Sequence, residues 1–175
     1  ILENINPDSL TDEDKAAYGF WLTKTHHSKW GRSMINDTLI YYTIDYYKQN
    51  DSPDLTEAYI LAAEQANWSE KNNLKSEQLL QDALHVAKSR KDTFNMQSIY
   101  FHLISLYRDK EDKYKIEYLI QDIRKYMSKT PAYEFKENIN LARLYSRLEM
   151  PDSAIQYAER GLELARELRS TDEFL

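Results

Sequence analysis

Apolar residues recur at intervals of three and four along most of the chain, most clearly between Asn138 and Glu163. Before Met150-Pro151, the apolar positions are Leu141, Ala142, Leu144, Tyr145 and Leu148. After it, they are Ala154, Ile155, Tyr157, Ala158, Gly161, Leu162 and Leu164. This spacing puts each set on one helical face, so the stretch predicts two helices packed as a hairpin. Close approach of helices is predicted at the small residues, which are Ala142, Ala154, Ala158 and Gly161.

The same spacing upstream predicts further helices, with boundaries marked by proline and capping residues. The predicted helices cover 12–30, 34–49, 53–68, 73–89, 92–108, 113–128, 131–148 and 151–168. Each of the prolines is predicted at or near a helix start, where its missing N–H costs nothing: Pro7, Pro53, Pro131 and Pro151. Thr11 followed by Asp14 predicts a cap for the first helix, and Gly31 predicts its end.

Three of the hairpins share one register. Tyr100-x2-Leu103-Ile104-x2-Tyr107 repeats the spacing of Asn138-x2-Leu141-Ala142-x2-Tyr145, and Tyr59-x2-Ala62-Ala63-x2-Ala66 repeats it again. The first hairpin does not align with them. These runs resemble the tetratricopeptide repeat, a helix–turn–helix unit of about 34 residues with the pattern W-x2-L-G-x2-Y followed by A-x3-F.

The resemblance implies an all-α superhelix of about four antiparallel hairpins, forming a single domain over residues 1–175. Stacked hairpins bury a continuous core, and the first helix of each lines the concave side. Ile1–Ile5 and Asp172–Leu175 read like parts of other helices, so we expect the chain to be a fragment of a longer protein.

In tetratricopeptide repeats, particular positions of the first helix line a peptide-binding groove. Transferred by register, they predict a groove of Glu57, Ile60, Glu64, Asn67, Ser98, Phe101, Ser105, Arg108, Lys136, Ile139, Arg143 and Ser146, with Arg147 beside it. Its floor would be apolar, one end acidic and the other basic, an arrangement that orients a bound peptide. The alternative is that these are ordinary exposed residues of a solenoid.

Tyrosine is abundant, with 14 residues, and falls into two groups. Apolar stripes predict a core or interhelix position for Tyr100, Tyr107, Tyr118, Tyr126, Tyr145 and Tyr157. One helix crowds together Tyr41, Tyr42, Tyr46 and Tyr47, and some of these are expected to face outward or toward a second copy of the chain, as in a homodimer.

Composition and the lack of certain motifs disfavour several classes of function. A net charge of −6 disfavours nucleic-acid binding, and the absence of cysteine excludes thiolate chemistry. No apolar run approaches the length of a membrane span. The sequence lacks a phosphate-binding glycine loop and a G-x-S-x-G motif, and its histidines lack metal-ligand spacing, so we expect no catalysis, cofactor or metal.

The chain resembles the tetratricopeptide regions of bacterial membrane-linked regulators, in the run from Leu10 to Tyr18, in the stretch from Asp37 to Tyr47, and in Leu141-Ala142-x2-Tyr145. The resemblance implies a non-catalytic sensor or scaffold region that binds a protein or peptide, periplasmic in preference to cytoplasmic. The alternatives are a cytoplasmic scaffold or assembly cofactor, and a non-catalytic part of an enzyme.

Overall fold

A computed structural model describes residues 5–30, 38–110, 112–126 and 131–170. Within these ranges it has a 3-10 helix at Pro7–Ser9, eight α-helices and no strand. The helices are α1 (Asp12–Trp30), α2 (Leu39–Gln49), α3 (Leu55–Trp68), α4 (Asn73–Arg90), α5 (Thr93–Asp109), α6 (Lys113–Tyr126), α7 (Pro131–Arg147) and α8 (Pro151–Ser170). The all-α prediction is confirmed.

The helix starts follow local capping chemistry in most places. At α1, the Thr11 hydroxyl accepts from the Asp14 amide and donates to its carboxylate, as predicted. Helices α7 and α8 begin at their prolines. Helix α2 begins at Leu39, later than predicted; residues 31–37, which include the predicted start and the Gly31 cap, lie outside the described residues.

Pro53 does not start α3, which begins two residues later at Leu55, so that prediction is wrong. The reason is a contact from a distant helix. The Arg90 guanidinium donates to the backbone carbonyls of Ser52 and Pro53, at 2.8 and 3.3 Å, and pairs with the Asp51 carboxylate. These bonds hold the carbonyls in a turn conformation, and the helix starts only after it.

A recurring turn joins the central helices. Asn72, Asp92 and Asp112 are equally spaced, and the side chain of each accepts a hydrogen bond from the amide three residues on. Lys71 and Lys91, which precede two of these caps, both have φ of 55°. In both turns a left-handed lysine precedes the Asx residue that caps the next helix, but only Lys91 is itself the C-cap of the preceding helix, since α3 ends earlier, at Trp68.

We expect Lys91→Gly to stabilise the protein, because glycine adopts this left-handed conformation without the steric cost that a β-carbon brings. The gain should be about 1 kcal/mol, measured as the free energy of unfolding in urea. Lys88→Gly is the control, since it puts the same residue inside α4, where it should cost about 1 kcal/mol. Equal effects of the two substitutions would contradict this explanation.

The contacts divide the chain into two compact units, Ile1–Leu119 and Ile120–Leu175, with the division inside α6. In the first unit, helices adjacent in sequence pack as neighbours, from α1 through α5. In addition, α3 touches both α1 and α5. This is a helical repeat-like arrangement, in which alternate helices lie side by side.

Helices α1 and α2 approach most closely at Gly19. A β-carbon there would lie 2.5 Å from the Thr43 hydroxyl and 3.0 Å from the Leu39 carbonyl oxygen. Thr43 is fully buried, and its hydroxyl donates to the carbonyls of Ala16 and Leu39 at 2.9 and 3.0 Å. Glycine therefore permits a backbone approach that lets one buried hydroxyl bridge the two helices.

Two clusters of carboxylate, tyrosine and lysine connect helices of the first unit. Glu77 of α4 accepts from the Tyr107 hydroxyl at 2.9 Å and pairs with Lys110 and Lys115 at 2.8 and 3.3 Å. The Lys115 ammonium also lies over the Tyr107 ring. Burial and the bond to Glu77 raise the pKa of Tyr107 to about 12. The cluster therefore ties α4 to the end of α5 and the start of α6.

The second cluster has the same chemistry. Glu70 accepts from the Tyr41 hydroxyl at 2.5 Å and pairs with Lys75 at 3.0 Å, while the Lys75 ammonium lies 3.7 Å from the Tyr41 ring centroid. Burial, followed by the bond to Glu70, raises the pKa of Tyr41. This cluster attaches α2 to the turn between α3 and α4.

In the second unit, α7 packs on α8. At Gly161 an added β-carbon would lie 2.9 Å from the Ile139 Cδ1, which agrees with the predicted close approach. Ala158 is exposed, so the prediction of close approach there is wrong. The rings of Tyr145 and Tyr157 stack at 5.2 Å, and the Arg124 guanidinium lies over Tyr157.

The tyrosine predictions hold only in part. Tyr100, Tyr107 and Tyr145 are buried, as predicted. Tyr118 and Tyr126 are exposed, so their predicted core positions are wrong. Tyr118 lies two positions from both Ile116 and Ile120, which are buried on α6, and therefore lies on the opposite side of that helix. Of the crowded group on α2, Tyr47 is buried.

Candidate functional site

Ion pairs join the alternate helices of the first unit. Lys24 of α1 pairs with Glu57 of α3 at 2.8 Å. Glu64 lies seven residues after Glu57 and therefore on the same face of α3. It pairs with His102 of α5 at 3.1 Å. We call the surface made by α1, α3 and α5 along these pairs the alternate-helix face.

Exposed aromatic residues occur on α1 and α5, the two helices that pair with α3. The Trp21 side chain is 52% exposed on α1, and the Lys24 ammonium lies 5.0 Å from its ring centroid. Phe101, one of the predicted groove residues, is 47% exposed on α5, next to His102. Large aromatic side chains that are half open to solvent supply apolar contact area to a ligand. The alternate-helix face therefore combines aromatic surface with paired charges.

The other predicted groove residues of the first unit contribute unequally. Ile60 is buried, so it supports α3 and offers a ligand little surface. Asn67, Ser98 and Ser105 are half-buried. Arg108 is also half-buried, and its guanidinium donates to the Ser105 hydroxyl at 3.3 Å. The accessible polar groups on this part of α5 are therefore one guanidinium and hydroxyls.

The predicted groove residues of the second unit lie on α7. Lys136, Arg143 and Arg147 are exposed, as is Ser146. Ile139 is half-buried against Gly161 of α8. This surface of α7 is therefore basic, and the part of Ile139 that meets α8 helps hold the hairpin together.

The ion pairs change the electrostatics expected from the sequence. Glu57 and Glu64 were expected to make one end of the groove acidic, but Glu57 pairs with Lys24, and Glu64 contacts His102, which is charged only when it is protonated. The Glu64 side chain is only 12% exposed. The charge of Glu57 is thus compensated within the protein and the carboxylate of Glu64 is largely covered, so the aromatic residues become the main source of contact energy for a ligand.

Sequence reasoning missed Trp21 and Lys24, because the first hairpin does not align with the others, and it missed His102 because that residue is not at a groove position of α5. A signal was present: Tyr18-Gly19-x2-Leu22 has the spacing of Leu141-Ala142-x2-Tyr145. The three residues Tyr18, Gly19 and Leu22 are all buried or nearly so. Placing Gly19 at the small-residue position brings α1 into the same register as α3 and α5, but it puts Phe20 and Thr23 at groove positions and so does not find Trp21 or Lys24.

Among the described residues, no three His, Asp or Glu side chains are grouped as metal ligands. None of the described helices has a stretch that is both long and apolar enough to cross a bilayer. No family model, curated protein or solved structure matches the chain.

Proposed function

We propose that the chain is a non-catalytic interaction module of the tetratricopeptide type, which binds a peptide or protein segment on the alternate-helix face. The observation that carries the proposal is the pair of half-exposed aromatic residues, Trp21 and Phe101, on helices joined through α3 by ion pairs. Aromatic anchors on a rigid helical surface are typical of interfaces.

The repeat assignment rests on positions that match in register and are buried alike. Tyr59, Ala62 and Ala63 are buried on α3, and Tyr100, Leu103 and Ile104 are buried on α5. On α7 the corresponding Leu141 is buried, whereas the corresponding Asn138 and Ala142 are half-buried. The equivalent burial of equivalent positions on α3 and α5 supports a structural repeat of about the hairpin length.

A peptide-display selection against the whole chain, followed by affinity measurement, tests the proposal. We expect Phe101→Ala to weaken binding of a selected peptide by about tenfold or more, as for an aromatic interface anchor. Leu74→Ala is the matched control, because Leu74 is an exposed apolar residue on α4, outside the alternate-helix face, and should leave affinity unchanged.

Arg143→Glu tests the basic surface of α7 separately. If it weakens binding and Phe101→Ala does not, the ligand binds to α7 and the alternate-helix face is not the site. Unchanged affinity in both variants would reject the predicted groove altogether.

The regulatory role is part of the same proposal and follows from the resemblance to membrane-linked bacterial regulators. We expect the full-length gene to encode a membrane span followed by a helix-turn-helix or kinase domain. A complete reading frame with neither would instead support the alternative of a cytoplasmic scaffold or assembly cofactor.

A further inference from the structure

Helix α8 has an apolar stripe that faces solvent. Ile155 is 55% exposed and Leu162 is 53% exposed, Ala158 is exposed, and Ala165 is half-buried. Their spacing alternates between three and four, which is that of the a and d positions of a coiled coil. The stripe is distinct from the face packed on α7, where Gly161, Leu164 and Leu168 are buried.

We propose that this stripe, Ile155, Ala158, Leu162 and Ala165, is a self-association surface through which α8 packs antiparallel on α8 of a second copy of the chain. Along the stripe, large and small side chains alternate. In the antiparallel register that buries the whole stripe, Ile155 lies opposite the second copy's Ala165, and Ala158 lies opposite the second copy's Leu162. Every layer then pairs a large side chain with a small one, which permits close packing.

The charges beside the stripe favour this orientation. Asp152, Glu159 and Arg166 are exposed and occupy successive e positions, one heptad apart. In the antiparallel register, Asp152 faces the second copy's Arg166, and the two-fold symmetry makes this pair twice. In a parallel pair, e positions face g positions, and on α8 these are Ala154, Gly161 and Leu168, which carry no charge. The attraction between copies is therefore available only to the antiparallel pair.

One contact opposes association. Glu159 lies at the two-fold axis of this register, opposite the second copy's Glu159, so like charges meet there. The apolar stripe is also short, and interfaces of this size are weak. We therefore expect a reversible dimer with a dissociation constant of about 10–100 µM.

Sedimentation velocity of the whole chain, from about 5 µM to about 500 µM, tests the proposal. We expect the weight-average mass to rise from monomer toward dimer. Leu162→Glu should abolish the rise, and circular dichroism should show an unchanged fold, because the side chain is exposed. Tyr118→Glu, at an exposed position on α6, is the matched control and should dimerise like the parent.

Charge variants test the register. Arg166→Asp alone should weaken the dimer, and the double variant Asp152→Arg/Arg166→Asp should restore it. Glu159→Gln should tighten it about threefold by removing the like-charge contact. The proposal is overturned if the parent stays monomeric at the highest concentration, if Leu162→Glu dimerises normally, or if the double variant fails to recover. A monomeric parent would mean that another segment or another protein covers the stripe.

Discussion

Gly19→Ala is expected to destabilise the protein by about 2–4 kcal/mol, although alanine favours a helix more than glycine does. The new methyl group would lie 2.5 Å from the Thr43 hydroxyl and 3.0 Å from the Leu39 carbonyl oxygen. Either α1 moves away from α2, or Thr43 leaves the carbonyls that it bonds. Both changes cost packing or leave a buried hydroxyl unsatisfied. Urea unfolding of parent and variant measures the difference.

Gly161→Ala is the matched control. The three heavy atoms nearest to its methyl group would be the Cδ1 and Cγ1 of Ile139 and the Cβ of Asn138, and the nearest of these is the flexible end of a side chain. Ile139 can rotate away, so the helix preference of alanine should offset most of the cost. If Gly161→Ala destabilises the protein as much as Gly19→Ala, backbone crowding at α2 is not the cause.

Glu77→Gln is expected to lower stability by about 1–3 kcal/mol at neutral pH. The Glu77 side chain is 17% exposed and holds a tyrosine hydroxyl and two lysines, and an amide cannot reproduce the charge-assisted bonds. Lys110 and Lys115 are partly exposed, so solvent screens their attraction to Glu77. The expected loss of stability is therefore smaller than for a fully buried ion pair. Glu163→Gln, at an exposed position on α8, is the control and should show no measurable change.

The effect of Glu77→Gln should depend on pH. Burial alone would raise the pKa of Glu77, but the bonds from Lys110, Tyr107 and Lys115 outweigh it and hold the pKa below the ordinary 4.5. A carboxyl with a lowered folded-state pKa contributes stability that is present above the unfolded value and is lost as pH falls through the folded value. Parent and variant should therefore differ at pH 7, and the difference should shrink as the pH falls below 4.5 and through the lowered pKa of Glu77.

The pH dependence of the parent must be compared with that of Glu77→Gln, because other carboxyl groups change the stability over the same pH range. The bonds from Tyr41 and Lys75 outweigh burial and lower the pKa of Glu70, so its contribution has the same sign as that of Glu77. Burial raises the pKa of Glu137 despite Arg124, so its contribution has the opposite sign. A difference between parent and Glu77→Gln that stays constant from pH 7 to pH 3 would exclude the ionised Glu77 as its cause.

Helix positions were predictable where local chemistry determines them. The Thr11–Asp14 cap and the prolines that begin α7 and α8 act within one turn, and the sequence shows them directly. The α3 start was mispredicted because Arg90, far along the chain, holds the carbonyls of Ser52 and Pro53. Contacts of that kind depend on tertiary packing, which local patterns do not encode.

The position of the candidate site was predictable from the sequence, but the burial and the ion-pair partners of its residues were less so. Register placed Phe101 on α5, and the side chain is exposed there. Register did not distinguish Ile60, which is buried, because helices differ in how deeply they pack. The partners of Glu57 and Glu64 come from other helices, so these pairs could be predicted only with knowledge of which helices are neighbours.

The central position of α3 affects how the sequence can vary. This helix contacts α1, α2, α4 and α5, and ten of its residues are buried, from Leu55 to Ala66. Alanines at Ala58, Ala62 and Ala63 leave no room for a larger side chain without displacing a neighbouring helix. Substitutions should therefore accumulate mainly on α8 and the outer side of α6, while α3 stays close to its present sequence. Mutational scanning would record this as a region of low tolerance in the middle of the first unit.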